Sequence, residues 1–101
     1  AIAMGIGMAL FEATEYDERT GRPVNNNYAE YLVPVNADMP ELDVILLNHP
    51  DYHLNELGAR GIGEIGLTGV QAAVANAVYH ATGKRIRDLP ITLDKIMDET
   101  A

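Results

Sequence analysis

The chain has 101 residues, no cysteine, no serine and a formal charge of −8, from 7 Lys and Arg against 15 Asp and Glu. That length allows one modest domain, and 48% hydrophobic residues favour a packed core over general disorder. The acidic balance argues against a non-specific nucleic-acid binder and against docking on anionic lipid; the missing residue types exclude disulfides, thiolate zinc or iron–sulfur sites, cysteine nucleophiles and a Ser-His-Asp triad within this chain.

The opening "AIAMGIGMALFEATE" has no basic region of a signal peptide, and no apolar run approaches the roughly 20 residues of a membrane span. The chain begins at Ala1, already apolar with Ile2, Ile6, Met8, Ala9 and Phe11. It reads as a piece of a longer polypeptide, or the product of a shortened gene, whose first helix faced something upstream. Residues 1–13 are expected to be helical, although Gly5 and Gly7 weaken such a helix by up to about 1 kcal/mol each. Small residues there also admit a neighbouring backbone or ligand. Met4 and Met8 share one face of it, as core or as a face for missing partners.

Residues 14–16 and 22–24 flank the turn-rich "DERTG" and predict a β-hairpin, covered by Tyr16, Tyr28 and Tyr31. A strand is expected at 31–35, with Pro34 marking an edge or strand end. "DVILLNH", residues 43–49, is the strongest strand signal: a continuous apolar run closed by Pro50. Residues 50–66 then form a long loop, and long loops in compact domains are often functional. From 67 to 82, Leu67, Val70, Val74, Ala77, Val78 and Ala81 fall on one helical stripe, and Gly83 is placed to stop the helix. Asn76 lies among the apolar positions and is expected to satisfy nearby backbone. Thr92 can cap a last helix over 93–99. The expected fold is α+β: a small, mainly antiparallel sheet with a hairpin, packed against the 67–82 helix and shorter terminal helices, in a single domain spanning 1–101.

The chemistry concentrates in "GARGIGEIGLTG", residues 58–69, where Gly58, Gly61, Gly63 and Gly66 surround Glu64. Gly61, Gly63 and Gly66 satisfy G-x-G-x-x-G, but no strand signal runs into the first glycine. A carboxylate inside the cradle would also repel a pyrophosphate, so the dinucleotide reading is opposed by context. An ordinary turn with a solvated glutamate is the plain alternative. The third reading has glycines that let backbone N–H groups approach a bulky cofactor, with Glu64 held as a base. His49 and His53 suggest a metal pair by spacing, but Pro50 between them removes the helix such a pair needs; His53 and Asn55 are placed to brace the loop.

"GARGIGEIGLTGVQAAVANAVYHATGKRIRDLPIT" resembles the C-terminal part of the large, molybdenum-binding subunit of the xanthine dehydrogenase/aldehyde oxidase family. "GIGMALFEATEYDERTGRPVNNNYAEYLVPVNADMPEL" looks like the segment just upstream, so the resemblance covers nearly the whole chain. The "GEIG…ANAVYHATGKRIRDLPITLDKI" ending looks most like bacterial aldehyde-oxidising members. The resemblance implies that Glu64 is the catalytic base of an aldehyde or N-heterocycle hydroxylation that takes its oxygen from water. It implies that Arg60, Gly61, Ile62 and Gly63 contact the pterin cofactor, in bacteria usually a molybdenum–molybdopterin cytosine dinucleotide. Position 60 is often lysine in that family, and arginine keeps the charge. The implied partners are the remainder of the subunit and the iron–sulfur and FAD subunits or domains, with a small aldehyde or heteroaromatic substrate and no nucleic acid or membrane. The family subunit is several times longer, so the isolated chain is expected to bind no cofactor, to be inert and to have a mobile 58–66 loop. The expected compartment is the cytoplasm, or the periplasm through a signal on a partner subunit. The competing class is a stand-alone structural or interaction domain, pairing its apolar N-terminal face in a homodimer.

Overall fold

A computed structural model describes residues 1–98. Three α-helices carry the architecture: α1 (Ile2–Leu10), α2 (Val70–Thr82) and α3 (Leu93–Met97). Short 3-10 turns lie at Asn36–Asp38 and Ile65–Leu67, and the remaining described chain is irregular. The last residue of the helix expected over 93–99 lies outside the described residues.

The packing centre is where α1 meets α2. Gly5, Gly7 and Ala9 are the buried residues of α1. A Cβ placed on Gly5 would lie 2.5 Å from the Val70 Cβ, far inside normal contact distance. Glycine is there because the first turn of α2 crosses that spot. Gly5, which costs α1 intrinsic helicity, is thus the residue that lets α2 dock. Gln71 Nε2 adds a 3.4 Å contact to Met8 Sδ across the same seam. The C-terminal connector closes the other end: Ile91 N–H donates to the Ala9 carbonyl at 2.7 Å, and the Ile86 and Ile91 side chains are buried.

α2 stops as its sequence predicts. Gly83 takes the left-handed conformation at φ 77°, and its N–H donates to the Tyr79 carbonyl at 2.7 Å. Only part of the predicted stripe is even half-buried: Leu67, Val70, Val74 and Val78 are, whereas Ala77 and Ala81 are exposed. Thr92 stands at the N-cap of α3, but its side chain makes no capping bond. Asn76 does not serve the backbone. Its Oδ1 accepts from Arg85 Nη1 at 2.7 Å, while the Arg85 guanidinium lies 3.8 Å from the Tyr79 ring centre.

The expected α+β class is overturned: the described residues contain no strand and no sheet. The chain does turn at Asp17–Gly21, and Asp17 N–H donates to Arg22 O and Val24 N–H to Glu15 O, both at 2.9 Å. The pairing reaches only an isolated antiparallel bridge between Tyr16 and Pro23. Pro23 has no N–H to extend a ladder, and no third strand flanks the pair. The buried Asn25 does the closing instead: its Oδ1 accepts from Glu15 N at 2.9 Å and its Nδ2 donates to Ala13 O at 2.7 Å. The strands expected at 31–35 and 43–49 are absent as well. In both stretches the apolar side chains stand in solvent, with no partner strand in the described chain to cover them.

The Tyr31 hydroxyl donates to Glu12 Oε2 at 3.0 Å and ties the 27–31 turn to the end of α1. That bond, followed by burial and the negative charge of Glu12, raises the phenol's pKa above its ordinary value. A group whose folded pKa is raised contributes stability that is whole below its unfolded pKa, about 10 for tyrosine. That contribution is lost as pH rises through the folded value. Thermal midpoints measured on either side of that value should fall with alkalinity, and Tyr31→Phe should remove this component. An unchanged alkaline slope in the variant would place the pH dependence elsewhere.

Candidate functional site

The glycine loop is built on a closed base. Asp51 N–H donates to Gly58 O and Gly58 N–H to Asn55 O, each at 3.0 Å. The Asn55 side chain clasps Ala59 from both sides, with Nδ2 on Ala59 O at 2.8 Å and Oδ1 accepting from Ala59 N at 3.0 Å. Arg60 is ion-paired with Asp51. Gly58 is buried at φ 64°, and a Cβ there would lie 2.7 Å from the Pro50 Cβ. Two independent reasons, backbone conformation and contact with Pro50, therefore require glycine at 58. Asn55 does brace the loop as expected, whereas His53 takes part only through its backbone N–H, which donates to Asp51 Oδ1 at 3.1 Å.

Asn55→Ala removes both halves of the clasp. The Ala59 amide should then exchange with solvent at least about tenfold faster, a modest hydrogen-bond loss, while amides within α2 keep their rates. Equal protection of Ala59 in both proteins would show that the clasp does not close the loop.

Beyond Arg60 the character changes. The N–H groups of Gly61, Ile62 and Gly63 donate no hydrogen bond among the described residues. A Cβ built on Gly61 or Gly63 meets no atom within 4 Å, and neither glycine has a positive φ. Neither packing nor backbone conformation within this chain requires glycine at either position. Glu64 follows directly, exposed, its carboxylate without a hydrogen bond or ion pair among the described residues. A 3-10 turn (Ile65–Leu67) then leads into α2 at Val70. Gly66 packs beside Ala1, whose Cβ would lie 3.3 Å from an added Cβ. A cleft of about 290 Å³ flanks the loop, lined by His49, Pro50, Leu57, Gly58, Arg60 and Ile62.

This geometry separates the sequence readings. No strand enters Gly61 and no α-helix opens at Gly66, so the dinucleotide architecture is missing. No group of three or more His, Asp or Glu among the described residues could hold a metal ion, and His49 and His53 form no such site. No helix of the described residues is long and apolar enough to cross a membrane. The residues present do fit an oxygen-rich cofactor: consecutive free N–H donors, open space at two glycines, and a guanidinium at the base of the loop. The Asp51–Arg60 pair and the closure of Asn55 on Ala59 in particular were not foreseen. The Asp and Asn residues spaced through "DYHLNELG" are the turn signal that could have indicated them.

Residues 1–40 match the molybdopterin cofactor-binding domain family. That match ends before the glycine loop, but similarity to curated proteins runs through it. The chain is 52% identical, over 98% of its length, to the aldehyde oxidoreductase molybdenum-binding subunit PaoC of Escherichia coli (strain K12), of which it spans 14%. Identity is 36% over 97% of the chain to the putative xanthine dehydrogenase molybdenum-binding subunit XdhA of the same organism, of which it spans 13%. It is also 36%, over 96% of the chain, to the aldehyde oxidoreductase of Megalodesulfovibrio gigas, of which it spans 10%. The chain belongs, as a C-terminal segment, to the molybdenum-binding subunits of the xanthine dehydrogenase/aldehyde oxidase family.

Proposed function

We propose that this segment supplies the catalytic base and one wall of the cofactor site of a molybdenum hydroxylase. The complete enzyme would oxidise aldehydes or N-heterocycles with water as the oxygen source. One observation carries the reading: among the described residues nothing requires glycine at Gly61 or Gly63, their N–H groups donate no hydrogen bond, and the Glu64 carboxylate that follows has no partner. Glycine at such positions suits close approach by something outside the chain.

In this reading the N–H groups of Gly61, Ile62 and Gly63 donate to oxygen atoms of the molybdopterin cofactor, in its cytosine dinucleotide form. Arg60 offers positive charge to the same region, steadied by Asp51. When bound, the cofactor supplies the two-electron redox chemistry. Glu64 accepts the proton released as water-derived oxygen is delivered to the substrate carbon. Most of the subunit lies outside this segment, so the isolated chain is inert, and electrons leave through iron–sulfur and FAD subunits.

The test uses the complete enzyme, assayed for aldehyde oxidation with an artificial electron acceptor, with molybdenum measured in parallel. Loss of activity in Glu64→Gln with molybdenum retained supports the assignment. Retained activity with full metal content sinks it. A second reading, a stand-alone interaction domain, is favoured by the exposed Met4 and Met8 on α1; concentration-dependent mass of the purified chain in sedimentation equilibrium would support a homodimer through that face.

A further inference from the structure

We propose that the cleft between α2 and the connector at residues 85–89 binds a phosphate monoester, at a site separate from the glycine loop. The proposal does not rest on the role of Glu64. Ala72, Ala75, Asn76 and Tyr79 stand at helical spacing on one face of α2. Gly83 turns the chain back toward that face, and Arg85 reaches both Asn76 and Tyr79. Ile86 is buried, while Arg85 and Arg87 on either side of it are exposed. Both arginines line the same cleft of about 310 Å³.

The cleft gathers positive charge that the chain does not neutralise. No acidic side chain lines it. Neither arginine forms an ion pair among the described residues, and the Arg87 guanidinium makes no hydrogen bond there either. This holds in a chain of net charge −8. Asp88 and Asp98 line an adjoining cleft together with Lys95, and not this one. The nearby ammonium groups are engaged by backbone: Lys84 donates to Asp98 O, and Lys95 to Asp88 O and Pro90 O.

Arg85 is held without being discharged. The Tyr79 ring centre lies 3.8 Å from its guanidinium carbon, and Asn76 Oδ1 takes one of its N–H groups at 2.7 Å. That bond also orients Asn76. A guanidinium only donates, so the amide must offer it oxygen, which leaves both N–H groups of Asn76 Nδ2 unused among the described residues.

Two guanidiniums and an amide N–H, with no carboxylate among them, select an oxyanion. A phosphate monoester carries about −1.5 to −2 at pH 7 and three acceptor oxygens. It matches two arginines, whereas a carboxylate brings a single charge. The rest of the lining favours an ester over the free ion. Ala72, Ala75, Ile86 and Leu89 give the cleft an apolar wall beside the arginines, which a flat apolar body attached to the phosphate would cover.

Isothermal titration calorimetry of the complete, cofactor-loaded subunit with phenyl phosphate, at fixed ionic strength, tests the site. About one equivalent should bind, and Arg87→Gln should weaken binding at least about tenfold, the worth of a charge-assisted hydrogen bond. Molybdenum content and thermal midpoint should not change, because Arg87 holds nothing else among the described residues. Inorganic phosphate should bind more weakly than the ester. No binding, or equal affinity in Arg87→Gln, would overturn the proposal. Molybdenum lost in Arg87→Gln would give the arginine to the cofactor and overturn a separate site. Inorganic phosphate binding as tightly as phenyl phosphate would leave the apolar wall without a role and overturn the ester assignment.

Discussion

Glu64→Gln in the complete enzyme is expected to lower turnover by about 10²–10⁴-fold, the usual worth of a positioned general base, with molybdenum content unchanged. The substitution keeps the shape of the side chain and removes its ability to take a proton. The fold should not notice, because the Glu64 carboxylate makes no hydrogen bond or ion pair among the described residues. Stability and yield therefore act as internal controls. Glu64→Asp keeps the acid but draws it back by one methylene, so its turnover should fall between the two. Glu56→Gln lies in the same loop, removes the same charge, and should leave turnover within about twofold. If Glu56→Gln and Glu64→Gln behave alike, the effect is general electrostatics and not base catalysis.

Gly5→Val should be the most damaging substitution in the helical core, costing about 3 kcal/mol, the upper end of the usual overpacking range. The Val70 Cβ, Cγ1 and Cγ2 atoms lie 2.5, 2.8 and 2.9 Å from where the first added carbon would stand. None is the flexible end of a long side chain, so α1 and α2 must separate. Gly5→Ala meets the same clash but gains up to about 1 kcal/mol of helix propensity, so it should cost less. Val70→Gly removes all three obstructing carbons, and the two changes should offset one another in a double-mutant cycle. The measurement is the urea midpoint of the four proteins. Strict additivity would show that α1 and α2 do not pack through this pair.

What could be read ahead of the structure divides along a physical line. α2 was legible because its signals are local: a stripe from Leu67 to Ala81 and a glycine at 83 that can turn left-handed. Its end at Thr82 and the Gly83 cap match the reading, whereas its start lies at Val70, after a 3-10 turn. The sheet was misread because strand signals report burial without naming the partner. The apolar run at residues 44–47 stands exposed, with nothing among the described residues covering it. The hairpin failed for a different reason: its turn was right, but Pro23 withholds a donor and the arms are too short to persist alone. In the site, the glycines and Glu64 stood out in the sequence, and the family resemblance gave them roles. The clasp of Ala59 by Asn55 and the Asp51–Arg60 pair depend on the sharp turn at Gly58, which the Asp and Asn spacing before it signals without naming the partners.

The chain has a radius of gyration of 17.8 Å and extents of 52 × 38 × 25 Å. A compact chain of this length would have a radius near 13 Å, and 17.8 Å belongs to a globule of roughly 240 residues. A single copy should therefore leave a gel-filtration column where a dimer of compact subunits would. Light scattering or equilibrium sedimentation reports mass independently of this shape. Elution volume alone would lead a monomer to be counted as two.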